Sequence, residues 1–213
     1  MIQALFALNA SLKERSPEWC DFFVEAIGEF VLNGTPPRLQ CNDEDAQWLI
    51  DQIDHDGVLE SMVELETIVR ILERAENTPD RLKNYVLDVV EREVLTGTGP
   101  TRCGGQLSAT HISAAECRII RRVIFASGGH GPAAVTRFDA EMLFRLKDET
   151  LAEENAAEWD DLFIDAIPLS GDLFTATGYN RAATSELFER LRPHATAAPA
   201  GPAPRIRMAV MPG

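Results

Sequence analysis

An all-α fold of packed antiparallel helices is what this sequence predicts. Three observations carry that expectation: an internal repeat, apolar residues at helical spacing, and capping residues ahead of the apolar stripes. Glu18-Trp19-Cys20-Asp21-Phe22-Phe23-Val24-Glu25-Ala26-Ile27 returns 140 residues later as Glu158-Trp159-Asp160-Asp161-Leu162-Phe163-Ile164-Asp165-Ala166-Ile167. A fainter copy lies between them. Internal periods of this kind belong to stacked helical units. No segment shows the sustained period-two alternation of a half-buried strand.

The elements follow in order. Leu5, Phe6, Leu8 and Leu12 open the chain on a helix. After Ser16, residues Trp19, Phe22, Phe23, Ala26, Ile27 and Phe30 share one helical face. Ser16-Pro17-Glu18 supplies a cap, a proline for the first turn and an acid at the positive helix end. Asn33-Gly34 offers a left-handed stop. A leading helix from Asp43 to Asp54 carries Ala46, Trp48, Leu49, Ile50 and Ile53. Next comes a helix over 60–76, with Leu65, Ile68, Val69, Ile71 and Leu72 apolar. Thr78-Pro79-Asp80 then caps a stripe running from Leu82 to Leu95, stopped at Gly97. Ser113 to Ala126 is the second leading helix. Thr136 to Asp139 reads as a capping box before Met142, Leu143, Phe144 and Leu146, and Asn155 to Glu158 as another before the last stripe.

The unit is therefore helix, tight loop, helix, short loop, capped helix, present in about two and a half copies. Residues 1–36 form a truncated first repeat, 37–100 a second and 112–167 a third. Residues 168–213 form an irregular tail, beginning where Pro168 interrupts the repeat, with room for one more helix at 182–191. Its Ala/Pro/Gly-rich end is expected to be disordered. Trp19 and Trp159 hold equivalent positions, and both are expected in the core.

At 213 residues and 45% hydrophobic content the chain can bury a real core. Its net charge is -14, distributed unevenly: residues 168–213 carry +2, leaving -16 for the rest. Such a body is expected to repel nucleic acid and anionic membrane. No apolar run approaches the roughly 18 residues of a membrane span, and the N-terminus lacks a basic stretch and a cleavage site. The four cysteines form no CxxC pair and are expected as reduced thiols in a cytoplasmic protein. A zinc set of Cys103, His111, Cys117 and His130 matches no common spacing. No Ser-His-Asp or Cys-His arrangement assembles and no phosphate-binding loop follows a strand, so the expectation is a protein without catalytic function.

One stretch is chemically distinctive. Between Arg38 and Arg70 there is no Lys or Arg, but nine acids: Asp43, Glu44, Asp45, Asp51, Asp54, Asp56, Glu60, Glu64 and Glu66. Carboxylates around the Asp56-Gly57 turn suit a hard divalent cation, because oxygen ligands satisfy the ion and glycine permits the bend. The bland alternative is an ordinary turn, with Ser61 and Glu64 capping the next helix. Here the chain resembles the EF-hand and the TerB-like (tellurite-resistance) helical domains. Asp54, Asp56, Gly57 and Leu59 fall where an EF-hand loop has acids, glycine and apolar residue. Gln52 stands where that loop opens on an acid, and Glu64 lies one residue beyond its closing Glu. The resemblance implies Asp54, Asp56, Glu60 and Glu64 as ligands of Ca2+ or a related divalent cation. Residue chemistry alone favours a non-enzymatic protein-interaction module or regulatory scaffold, docking a basic or apolar protein surface on the acids of the leading helix, Asp43, Asp45 and Asp51.

Overall fold

The computed structural model of the chain describes residues 2–54, 59, 61–102, 109–126 and 135–166. These hold eight α-helices: α1 (Ile2–Ser11), α2 (Pro17–Asn33), α3 (Asp43–Ile53), α4 (Met62–Arg74), α5 (Asp80–Thr96), α6 (Ala114–Ile124), α7 (Arg137–Glu149) and α8 (Ala157–Ala166). A 3-10 turn spans Pro100–Arg102. The described residues contain no strand, and their one β-type contact is a bridge between Gln40 and Asn77. It ties the loop after α2 to the α4–α5 connection, with Cys41 N–H donating to Asn77 O at 3.0 Å. The all-α expectation holds. The proposed tail at 168–213 and helix at 182–191 lie outside the described residues.

Side-chain oxygens start four of the helices by accepting the backbone N–H groups that the first turn leaves unpaired. Ser16 accepts from Trp19 N–H in α2. Complete capping boxes open α3 (Asn42 with Asp45), α6 (Ser113 with Glu116) and α7 (Thr136 with Asp139). Only the last is expected from sequence. Gly97, with φ of 70°, ends α5 in the left-handed region and closes against Ala109, where a Cβ would crowd the backbone.

Several local expectations fail. Gly34 is right-handed (φ -64°), because the chain leaves α2 by continuing its turn, with Gly34 N–H on Phe30 O. Pro79, not Thr78, occupies the N-cap of α5. Asn155 does not cap α8. Its amide instead spans two loops, accepting from Ile112 N–H at 2.9 Å and donating to Thr150 O at 2.9 Å. Ser61 makes no side-chain cap on α4.

The helix pairs recur. α2 packs on α4, as α5 packs on α7; α3 lies on α5, as α6 lies on α8; and α1 meets α3, as α4 meets α6. The aromatic geometry recurs as well. Phe6 meets Phe23 edge-on at 5.3 Å and 90°, and Phe144 meets Phe163 at 5.2 Å and 89°. Trp19 lies 6.2 Å from Phe23, and Trp159 lies 6.1 Å from Phe163. Beyond this shared frame the two tryptophans diverge. Trp159 is 1% exposed, whereas Trp19 is only half-buried, contrary to expectation. The reason is local: α6 lies on α8, while among the described residues no helix lies correspondingly on α2.

Two substitutions test this contrast by urea unfolding. Trp159→Ala removes a fully enclosed ring and should cost about 3–5 kcal/mol. Phe22→Ala, on the open face of α2, should change stability by no more than about 0.5 kcal/mol. Equal losses for the two would show that α2 is covered like α8.

Candidate functional site

Of the metal ligands that the sequence suggests, Asp56 and Glu60 lie outside the described residues. Asp54 is the C-cap of α3, with its N–H on Ile50 O at 2.7 Å. Glu64, three residues into α4, is 4% exposed. It neither caps its helix nor faces water. Asn9 Nδ2 donates to its Oε1 at 2.8 Å. Asn9, itself fully buried, accepts on Oδ1 from Arg15 Nε at 2.8 Å and Trp19 Nε1 at 3.2 Å. Glu64 Oε2 and Ser61 Oγ are buried without a hydrogen-bond partner. Burial, then the carboxylates of Asp54 and Glu64, push the Tyr85 phenol above its ordinary range. The described residues assemble no group of three or more His, Cys, Asp or Glu fit for a metal. The orphan oxygen of Glu64 suits a cation in charge, but a hard ion wants six or more oxygens.

Glu64 is one of three buried acids at the third position of a helix; the others are Glu116 and Asp139, both fully buried. Each of those has a cation. Arg102 Nε lies 2.8 Å from Glu116, and Lys83 Nζ 2.5 Å from Asp139. Among the described residues no cation pairs with Glu64. Of the zinc set, Cys103 and His130 lie outside the described residues, and burial pushes the Cys117 thiol up to about 12, so the free thiol stays protonated.

The acids expected to dock a partner are partly spent on structure. Asp45 closes the capping box of α3. Asp43 lies 3.7 Å from Arg81, and Asp51 accepts from Gln47 at 2.6 Å. On α4, Arg122 grips both Glu66 and Glu73 through four hydrogen bonds of 2.6–2.8 Å, which holds the Glu73 carboxyl below its usual range. Cations of the fold thus reach Asp43 and Glu66 of the acidic stretch, while Asp45 and Asp51 meet uncharged donors.

What the sequence reading missed is an aromatic surface. Phe22 and Phe30, assigned to the buried stripe of α2, are 55% and 47% exposed, and Leu8 of α1 is 45% exposed. Phe22 leans on Trp19 at 5.9 Å, and Phe30 on Trp48 of α3 at 5.4 Å. Ile2, Gln3, Phe30 and Trp48 line an open cleft of about 400 Å³. Helical spacing sets Glu44 and Asp51 on the Trp48 side of α3, and Glu18 and Glu29 along the row of Phe22 and Phe30. The signal available beforehand was the face width: Trp19, Phe22, Phe23, Ala26, Ile27, Phe30 and Val31 span more than one neighbour can cover.

A second buried polar cluster lies under the 3-10 turn. Glu93 Oε2 accepts from Thr101 N–H at 2.9 Å and from the Thr101 hydroxyl, whose oxygen also lies 3.0 Å from Glu116 Oε1. One hydroxyl proton cannot serve two carboxylates, and a proton on Glu93 would supply the missing donor. Burial, opposed by the Thr101 hydrogen bonds and aided by the Glu116 charge, raises the Glu93 carboxyl above its usual range. The folded state then holds this proton more tightly than the unfolded chain. That stability is full below the unfolded value of about 4.3 and is lost as pH rises through the folded one. Glu93→Gln keeps an acceptor and removes the titration. In urea unfolding the variant should gain on the parent as pH rises from about 4 to 7; parallel pH profiles would refute the assignment.

No protein-family model, curated protein or solved structure matches the chain.

Proposed function

We propose that this chain is a non-enzymatic, acidic helical-repeat module that binds another protein, as an interaction or regulatory scaffold. The observation that carries this reading is the exposure of Phe22 and Phe30 beside Trp19 and Trp48. Aromatic groups grouped on an open surface are the commonest anchors of protein interfaces. Asp51, with Glu44, places negative charge beside that surface, which speeds encounter with a basic partner and makes it salt-sensitive. The recurring helix pairs and matched aromatic geometry support the repeat as the scaffold that presents it. A photo-crosslinking residue in place of Phe30 should capture a discrete protein from a lysate, whereas one in place of the exposed Asp148 should not. Charge reversal of Asp43 and Asp51 should lower the yield. Equal capture at positions 30 and 148 would end the proposal.

A second reading has its own observation. Glu64 is the one buried helix-opening acid without a cation among the described residues, and its Oε2 lacks a partner. A divalent ion held by Asp54, Asp56, Glu60 and Glu64, in the manner of a TerB-like or EF-hand-like protein, would supply that charge. Calorimetry with calcium, magnesium and manganese should then show heat that Glu64→Gln abolishes. Silence at millimolar ion discards this reading.

A further inference from the structure

We infer that the open face of α2 is a receptor for one amphipathic, basic-flanked α-helix of a partner protein, seated as α6 is seated on α8. The inference rests on the protein-binding role proposed above and specifies the partner's chemistry.

The 140-residue repeat pairs residues 17–26, the first part of α2, with Ala157–Ala166 of α8. Trp19 corresponds to Trp159, Phe22 to Leu162, Phe23 to Phe163 and Ala26 to Ala166. Phe23 and Phe163 are both buried, each against the ring of the matching helix, Phe6 of α1 or Phe144 of α7. The other three pairs differ in one direction. Trp159, Leu162 and Ala166 are closed off at 1%, 0% and 0% exposure. Trp19 and Ala26 are half-buried, and Phe22 is 55% exposed. Among the described residues, what α8 has and α2 lacks is a helix on that face: α6 packs on α8, and α3 packs likewise on α5. The unfilled place on α2 is therefore helix-shaped and apolar along Trp19, Phe22 and Ala26.

Charge fixes the kind of helix. The acids of α8 recur on α2: Glu158 as Glu18, Asp161 as Asp21 and Asp165 as Glu25. In α8, Asp165 receives Arg121 of α6 at 2.7 Å. Glu25 stands in the corresponding place, 62% exposed even with Arg74 beside it. The helix α6 carries Arg118, Arg121 and Arg122 around a stripe of buried Cys117, Ile120, Val123 and Ile124. A ligand for α2 should share that plan: apolar residues at helical spacing, with Arg or Lys along one edge. A second copy of the chain fits worse, because α2 against α2 sets Glu18, Asp21, Glu25 and Glu29 against their own kind.

The test uses the intact 213-residue chain and, as probe, a fluorescent peptide of residues 113–126 carrying Cys117→Ala. Anisotropy should show saturable binding that weakens as salt rises. Phe22→Asp should lower affinity by about tenfold or more, and Glu25→Lys should lower it and flatten the salt dependence. Phe22→Leu, which gives α2 the residue of α8, should retain binding within about threefold. No saturable binding, or binding indifferent to Phe22→Asp, overturns the inference; the second result would mean the peptide displaces α6 from α8 instead. A dimer in sedimentation that Phe22→Asp dissolves would also overturn it, assigning the face to a second copy. A crosslinked cellular partner lost with Phe22→Asp, but without peptide binding, would leave the protein-binding role standing and remove only the helical ligand.

Discussion

A helix that is apolar over much of its girth cannot be covered by one neighbour, and this constraint organises the molecule. α2 is the clearest case. One edge, Phe23, Val24, Ile27 and Val31, is buried, and α4 packs on the helix with Phe6 of α1 against Phe23. The other edge needs a second helix. α5 and α8 have one, in α3 and α6. Burying a side chain of Leu or Phe size is worth about 1.5–3 kcal/mol, so each covered edge stabilises its helix substantially, and an uncovered edge keeps that driving force available for an intermolecular contact.

Electrostatics work at two depths. At the surface, acids exceed bases, yet those on α4 and α8 are drawn inward by arginines of α6: Arg122 to Glu66 and Glu73, Arg121 to Asp165. Exposed pairs of this sort contribute at most about 1 kcal/mol each, so their role is to match helices to the right neighbours. Below the surface, Glu116 with Arg102 and Asp139 with Lys83 are desolvated pairs. Removing one partner strands the other in a low dielectric, typically at about 3–5 kcal/mol. Such pairs select one packing over alternatives that apolar contacts alone would tolerate.

Helix positions were legible because apolar spacing and hydroxyl or amide caps are local signals. Thr136 with Asp139 and Gly97 show how far such signals reach. Tertiary choices were not legible. Asn155 has the sequence of a cap, yet its amide ties Ile112 to Thr150, because an unpaired loop N–H competes for the same oxygen. Glu64 likewise reads as a capping acid and turns instead to Asn9, 55 residues away. For Phe22 and Phe30, periodicity fixes the face but not whether anything lies on it. The candidate surface was hidden in a pattern that reads as core.

The three tryptophans stand in three different settings. Trp159 is sealed in the interior, Trp19 donates its indole N–H to Asn9, and Trp48 borders the cleft beside Phe30. The first therefore reports loss of the native interior, while the other two lie at or near the face proposed to take a partner. A ligand seated on the proposed α2 face would then be read out by intrinsic fluorescence, without a label.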